Sequence, residues 1–160
     1  MSELSVEVVR SKKRKKTAQA YVVDGRLRVL IPAGMEPSAE AGLVADLVNK
    51  TTRRVSSADV DLGKRATELA KQYGLPTPAT IEWSNRQLRR WGSCTFSQGR
   101  IRISDRLASM PEWVLDWVIL HELAHLVVPN HGPGFQEIVS QYALGERAEG
   151  YLIARSEIGS

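Results

Sequence analysis

Residues 113–131, WVLDWVILHELAHLVVPNH, constrain this chain more than any other stretch. The segment is apolar nearly throughout, which suits a helix buried in a core. Yet it carries His121-Glu122-Leu123-Ala124-His125 at its centre. On a helix, two histidines four residues apart share one face. Buried imidazole and carboxylate groups cost free energy unless they are paired, and a metal ion gripped by both imidazoles supplies that pairing. All three histidines of the chain fall in this one stretch. Upstream, Ser109-Met110-Pro111-Glu112 reads as a capping box with proline in the first turn, so a helix is expected to begin there.

His131 follows six residues after His125, past Pro129-Asn130, and is expected to swing back as a third ligand. Three imidazoles leave zinc one open position, as in a catalytic site, whereas a structural zinc is more often closed by cysteines. Zinc lowers the pKa of a bound water towards neutrality. Glu122 then stands ready to take its proton and hand it to a leaving group, a role that suits amide hydrolysis. The expectation is a zinc-dependent hydrolase with one Zn2+ per chain on His121, His125 and His131, and Glu122 as general base. Glu137 competes for the third position, because some enzymes of this motif use a glutamate from the next helix; His131 is closer in sequence and otherwise unexplained. The spacing also overlays the metzincin pattern. There a glycine makes the turn and a methionine turn follows; here Val128 replaces the glycine and Met1, Met35 and Met110 all precede the site. Pro129-Asn130 is expected to make the turn instead.

A chain of 160 residues suggests one compact domain. With 42% hydrophobic and 25% charged residues it has the make-up of a soluble globular protein. Asp116 and the His/Glu cluster interrupt the longest apolar run, so no membrane span is expected. The N-terminal charges follow a short apolar stretch, the reverse of a secretory signal. Cys94 is the single cysteine. It excludes an internal disulfide, makes a reducing cytoplasm the simplest setting, and reads as a buried thiol rather than a fourth ligand. The formal net charge of +4 is uneven: Arg10, Lys12, Lys13, Arg14, Lys15 and Lys16 cluster, and the remainder is slightly acidic. Such a run can meet nucleic acid, but a solvated hairpin loop is the favoured reading.

The expected fold class is α+β. Residues 3–10 alternate like a strand, and 18–31 read as a hairpin on the Asp24-Gly25 turn. Helices are expected over 38–55 and 60–73, with a cap at 56–59 and Gly74 as the stop. Strands follow at 80–83, 87–96 and 100–104, forming a small antiparallel sheet. After the H-E-x-x-H helix come a helix over 135–144, ended by Gly145, and a short one over 146–153. An N-terminal β-hairpin region, 1–34, is expected to join the catalytic region, 35–160, in one compact unit.

Several motifs together carry a family resemblance. Arg90-Trp91-Gly92-Ser93-Cys94, then Gly99-Arg100-Ile101-Arg102-Ile103, then Pro111 with VLDWVILHELAHL, then Asn130-His131 and Phe135 resemble the YgjP-like metallopeptidases, relatives of the SprT-like proteins. The basic N-terminal hairpin is similar to that family too. The likeness covers most of the chain and is strongest over 90–135. It implies a zincin-like catalytic domain, zinc on His121, His125 and His131, and Glu122 as general base. Two departures are that Gly132-Pro133-Gly134 precedes the phenylalanine and that Gln136 stands where tryptophan is usual; neither touches a ligand.

Peptides or exposed protein segments are the first substrate class. A zinc-dependent nucleoside triphosphate pyrophosphohydrolase is the alternative, since such a role has been attached to some relatives; Arg86, Arg89, Arg90 and Arg100 would offer phosphate contacts. A DNA-associated SprT-like protease, tethered by the basic run from Lys12 to Lys16, is the third. Arg90, Trp91 and Gly92 are candidate substrate residues. Their strand can pair with an extended peptide, Gly92 can admit a ligand backbone, and Arg90 can steady negative charge. Against this, Trp91 suits a packed core and Gly92 a crowded contact. Tyr142, the fourth candidate substrate residue, and Asn130 are candidate transition-state donors.

Overall fold

The computed structural model describes residues 4–158; Glu3, expected to open the first strand, lies outside them. The chain divides into two compact units, Met1–Ser56 and Ser57–Ser160.

The first unit holds strands β1 (Ser5–Ser11), β2 (Gln19–Val23) and β3 (Arg26–Pro32) in the order β1-β3-β2. Asp24 and Gly25 have φ of 48° and 71°, the two left-handed positions of a tight hairpin turn. They join β2 to β3 antiparallel, as the alternation predicts. β1 runs parallel to β3 on the other side. Helix α1 (Pro37–Ala58) lays Val44, Leu47 and Val48 against Ala20, Val29 and Ile31. A three-stranded sheet needs such a cover for its apolar face, and the cover extends this unit to Ser56, past the residue-34 boundary expected from sequence.

The second unit opens with helix α2 (Leu62–Tyr73). Its cap is Asp61, whose carboxylate accepts from the Lys64 amide at 3.0 Å, not the 56–59 segment. Gly74, at φ 65°, ends it as predicted. Strands β4 (Thr80–Ser84), β5 (Gly92–Thr95) and β6 (Arg100–Ser104) form a sheet ordered β4-β6-β5. The antiparallel pairing expected holds for β5 with β6, while β4 joins β6 in parallel, so the sheet is mixed. The strand expected over 87–96 shrinks to Gly92–Thr95. Trp91 still accepts from the Ser104 amide, but before it the carbonyls of Gln87 and Arg90 accept from the Arg106 side chain.

Helix α3 (Glu112–Ala124) is the centre of this unit, buried along nearly its whole length against α2, α4, α5 and the sheet. The expected capping box is not formed: Ser109 closes a 3-10 turn, Met110 is extended, and Pro111 is the cap residue without a side-chain bond. Helices α4 (Pro133–Val139) and α5 (Gly145–Ile158) complete the unit. Gly145 opens α5 rather than ending α4. A Cβ there would lie 3.0 Å from the Trp117 ring, so the close approach of α5 to α3 leaves little room for a side chain. No described helix is long and apolar enough to cross a membrane.

Candidate metal centre

The site forms where α3 stops. His125 is its C-cap residue, and the chain tightens into a turn as Leu126 donates to the Leu123 carbonyl and Val128 to that of Ala124. The helix therefore ends sooner than its apolar run suggested, leaving Val127 half exposed at 50%. Asn130 accepts from the Gly132 amide at 2.9 Å and makes the predicted turn with Pro129. That turn returns His131 to the helix: its Nε2 lies 3.1 Å from Nε2 of His125 and 3.2 Å from Nε2 of His121. Phe135 of α4 is fully buried beneath them, its ring 4.7–4.8 Å from each of the three imidazoles.

The donor set fits a metal ion on two counts. Nδ1 of His125 lies 3.0 Å from the Val128 carbonyl, which can only accept, so Nδ1 carries the proton and Nε2 presents a lone pair to the cluster. Three converging nitrogens cannot all be satisfied by one another, whereas a cation among them satisfies all three. Their spacing also suits zinc, whose tetrahedral bonds of about 2.0–2.1 Å separate nitrogen ligands by roughly 3.4 Å. Ligating atoms of His121, His125 and His131 all lie within 4.8 Å of one another, placed to hold a single divalent metal ion. Burial, and then the two neighbouring imidazoles, push His121 down to about 4, which keeps it neutral as a ligand must be. Burial likewise lowers His125.

Glu122 lies beside this cluster, 6% exposed. Burial raises its carboxyl to about 7, opposed by the positive charge of Arg90. A bound cation would act in the same direction as Arg90 and favour the carboxylate, the form a base needs.

A cleft of about 990 Å³ opens over Glu122 and the three histidines. One wall is the segment Arg90-Trp91-Gly92-Ser93-Cys94, and β5 is an edge strand of its sheet. Glu149, Leu152 and Ile153 of α5 also line the cleft. Three of the four candidate substrate residues, Arg90, Trp91 and Gly92, thus meet the metal site. Tyr142 does not line the cleft: its hydroxyl donates to the Trp113 carbonyl at 2.8 Å, and burial lifts it to about 12. Asn130 is likewise committed to its turn. Glu137 is exposed and not part of the histidine cluster. Cys94 lines the cleft as a half-buried thiol, outside the cluster. Of the four arginines considered for phosphate, only Arg90 lines the cleft.

Two contributors escaped the sequence reading. For α5 the sequence predicts only a short packing helix. Nothing local in the sequence marks Arg106, yet its guanidinium lies 4.0 Å over the Trp91 ring and braces the cleft segment. Both contacts join residues distant in sequence, and no local periodicity marks them.

Residues 44–145, well over half of the chain, match the YgjP-like metallopeptidase domain. The chain belongs to that family. Among solved structures, the metallopeptidase zymogen jannalysin of Methanocaldococcus jannaschii is similar, at 22% identity and a TM-score of 0.52 over 60% of this chain and 97% of that chain. At that identity the likeness speaks for the fold. No curated protein sequence matches the chain. Membership of the YgjP-like family, with a three-histidine cluster built for one metal ion, makes this protein a zinc-dependent hydrolase of the metallopeptidase class acting on peptide or protein.

Proposed function

We propose that His121, His125 and His131 hold the zinc ion, that Glu122 is the general base, and that the substrate is an extended peptide lying along β5. The convergence of three imidazole nitrogens beside a buried carboxyl, at the floor of a cleft with an edge strand for a wall, carries this reading. Zinc, when bound, supplies Lewis acidity, polarising a carbonyl and lowering the pKa of water. The chain's own residues do the rest. Val128 fixes the tautomer of His125 through its carbonyl. The free edge of β5 offers backbone groups to an extended substrate, the general mode of strand addition. Glu122 takes the proton from the attacking water and delivers it to the leaving amine. Arg90 faces the same space and steadies negative charge as it develops, or the carboxylate of a substrate. Phosphoanhydride chemistry is less well served, because Arg86, Arg89 and Arg100 do not line the cleft. A reducing cytoplasm remains the simplest setting, with Cys94 the only cysteine.

The test is zinc analysis with a peptide library read by mass spectrometry, run beside nucleoside triphosphates. About one zinc per chain and cleavage of peptides are expected. Glu122→Gln keeps zinc and loses turnover by roughly a hundredfold or more. Unchanged turnover in that variant removes Glu122 from the mechanism. Lost zinc makes it part of the metal site, and triphosphate hydrolysis without peptide cleavage overturns the substrate class.

A further inference from the structure

We infer that Gly92 is a positioning residue for Glu122: the side chain it lacks is the space that the Glu122 carboxylate occupies. The inference rests on Glu122 being the base. A Cβ built on Gly92 would lie 2.7 Å from Oε1, 2.9 Å from Cγ and 3.1 Å from Cδ of Glu122. Carbon atoms pack at roughly 3.5–4.0 Å, so these approaches are not tolerable contacts. Backbone conformation offers no other reason for a glycine. Among the described residues the glycines at positive φ are Gly25, Gly74 and Gly99, whereas Gly92 sits in regular strand opposite Ile103. The sequence leaves open a ligand backbone approaching Gly92 or a crowded contact; the atoms that would meet its Cβ belong to Glu122.

The strand is tied in place on its β6 side. The Ser104 amide donates to the Trp91 carbonyl at 2.8 Å. Arg106 stacks on the Trp91 ring and donates to the carbonyls of Arg90 at 3.0 Å and Gln87 at 2.9 Å, with its Nε on Ser104 Oγ at 3.0 Å. Ile103, across the ladder, is fully buried. A methyl group at position 92 is therefore accommodated by the flexible end of Glu122, not by the backbone. The consequence falls on where the carboxylate points, while the fold and the histidines are left alone. Trp91 and Arg106 anchor the segment, and Gly92 makes the room.

The experiment compares wild type, Gly92→Ala, Glu122→Gln and the double variant on a cleaved peptide, with zinc content, Tm and a crystal structure of Gly92→Ala. Gly92→Ala is expected to keep its zinc and to lose kcat roughly ten- to hundredfold with KM little changed, as a misplaced group does. The double variant is expected to fall no lower than Glu122→Gln, since both changes act on one group. The crystal structure is expected to show the carboxylate displaced and His121, His125 and His131 in place. Should Gly92→Ala lower Tm, adding Glu122→Ala removes the atoms the methyl meets and restores it. Wild-type kcat in Gly92→Ala, independent losses in the double variant, a Tm loss that Glu122→Ala does not relieve, or an unmoved carboxylate overturns the inference. If Glu122→Gln itself turns over like wild type, the reading of Glu122 as base is what fails. The crystal structure then still decides whether Gly92 sets its position.

Discussion

Arg65 on α2 grips Asp116 on α3 with both arms of its guanidinium, Nε lying 2.6 Å from one carboxylate oxygen and Nη2 2.5 Å from the other. Glu112 and Glu68 approach the same arginine from its exposed side. Asp116 is the charged interruption in the apolar helix that carries the metal site, and its side chain is only 10% exposed. A carboxylate so placed needs a partner, and the planar fork of arginine matches both of its oxygens. The hydrogen bond to Asp116 is the first cause of the upward shift of Arg65.

Removing that partner strands the carboxylate. Arg65→Met is expected to cost about 2 to 3 kcal/mol of folding stability, the scale for a hydrogen-bonded charged group left unsatisfied. Arg65→Lys is expected to recover only part of it, since an ammonium cannot serve both oxygens. Zinc content is expected to hold in both. Denaturant titration measures the cost. A loss below about 0.5 kcal/mol would class the pair with ordinary surface ion pairs and refute its role as the helix clamp.

The basic run is expected to be dispensable except at its arginines; Arg10 donates to the carbonyls of Ala33 and Met35 and pairs with Glu40. Lys12, Lys13, Lys15 and Lys16 are exposed. Arg14 is half buried and donates to Thr17 at 3.2 Å and Gln19 at 2.9 Å, tying down the β1–β2 connection. Changing the four lysines to Gln should shift stability by less than about 0.5 kcal/mol, as surface changes do, and leave zinc content and peptide cleavage intact. DNA affinity that falls in this variant together with its salt dependence would make the run a nucleic-acid contact instead of a solvated loop.

What the sequence revealed about the fold was what local pattern encodes. His121, Glu122 and His125 announce themselves by helical spacing, Asp24-Gly25 by turn chemistry, and Gly74 by its place after an amphipathic stripe. Gly145 shows where that logic stops. Beside an apolar repeat it reads as a helix stop, but it opens α5 and lies against Trp117, 28 positions back in sequence. The segment 87–91 likewise alternates plausibly, yet Arg106 takes the carbonyls of Gln87 and Arg90, while Trp91 still accepts from the Ser104 amide of β6. The helix cap moved for a similar reason: Ser109 is committed to a 3-10 turn before the helix begins. In each case a long-range or competing contact outweighed a local preference that was sound in itself.

Cys94 yields a pH prediction. Burial, and then the charge of Glu122, push its thiol up from 9.0 to about 11. A folded-state pKa above the unfolded one means that the fold favours the protonated thiol. That contribution is present in full below pH 9.0 and is lost as pH rises through about 11. In chelator-treated protein, alkylation by iodoacetamide is therefore expected to be slow near neutral pH, because the thiolate is the nucleophile, and to accelerate between pH 9.0 and 11. Glu122→Gln should bring the midpoint down. A midpoint at the value of a free thiol would show Cys94 to be more open to solvent than its place in the cleft wall allows.

The last prediction separates His131 from Glu137 as the third ligand. His131 stands within 3.2 Å of both helix imidazoles, whereas Glu137 is exposed on α4 and outside the cluster. His131→Ala is expected to weaken zinc binding by more than the roughly 10- to 100-fold that loss of an outer partner typically costs. His125 also depends on the Val128 carbonyl, so Val128→Pro tests the outer partner by distorting the turn. It should lower zinc affinity less than His131→Ala does. Glu137→Ala should leave zinc untouched, because no atom of that carboxylate joins the three nitrogens. Competition with a chromogenic chelator reads all three affinities directly, independent of any substrate. Full zinc retention in His131→Ala together with loss in Glu137→Ala would reverse the assignment and place the third ligand on α4.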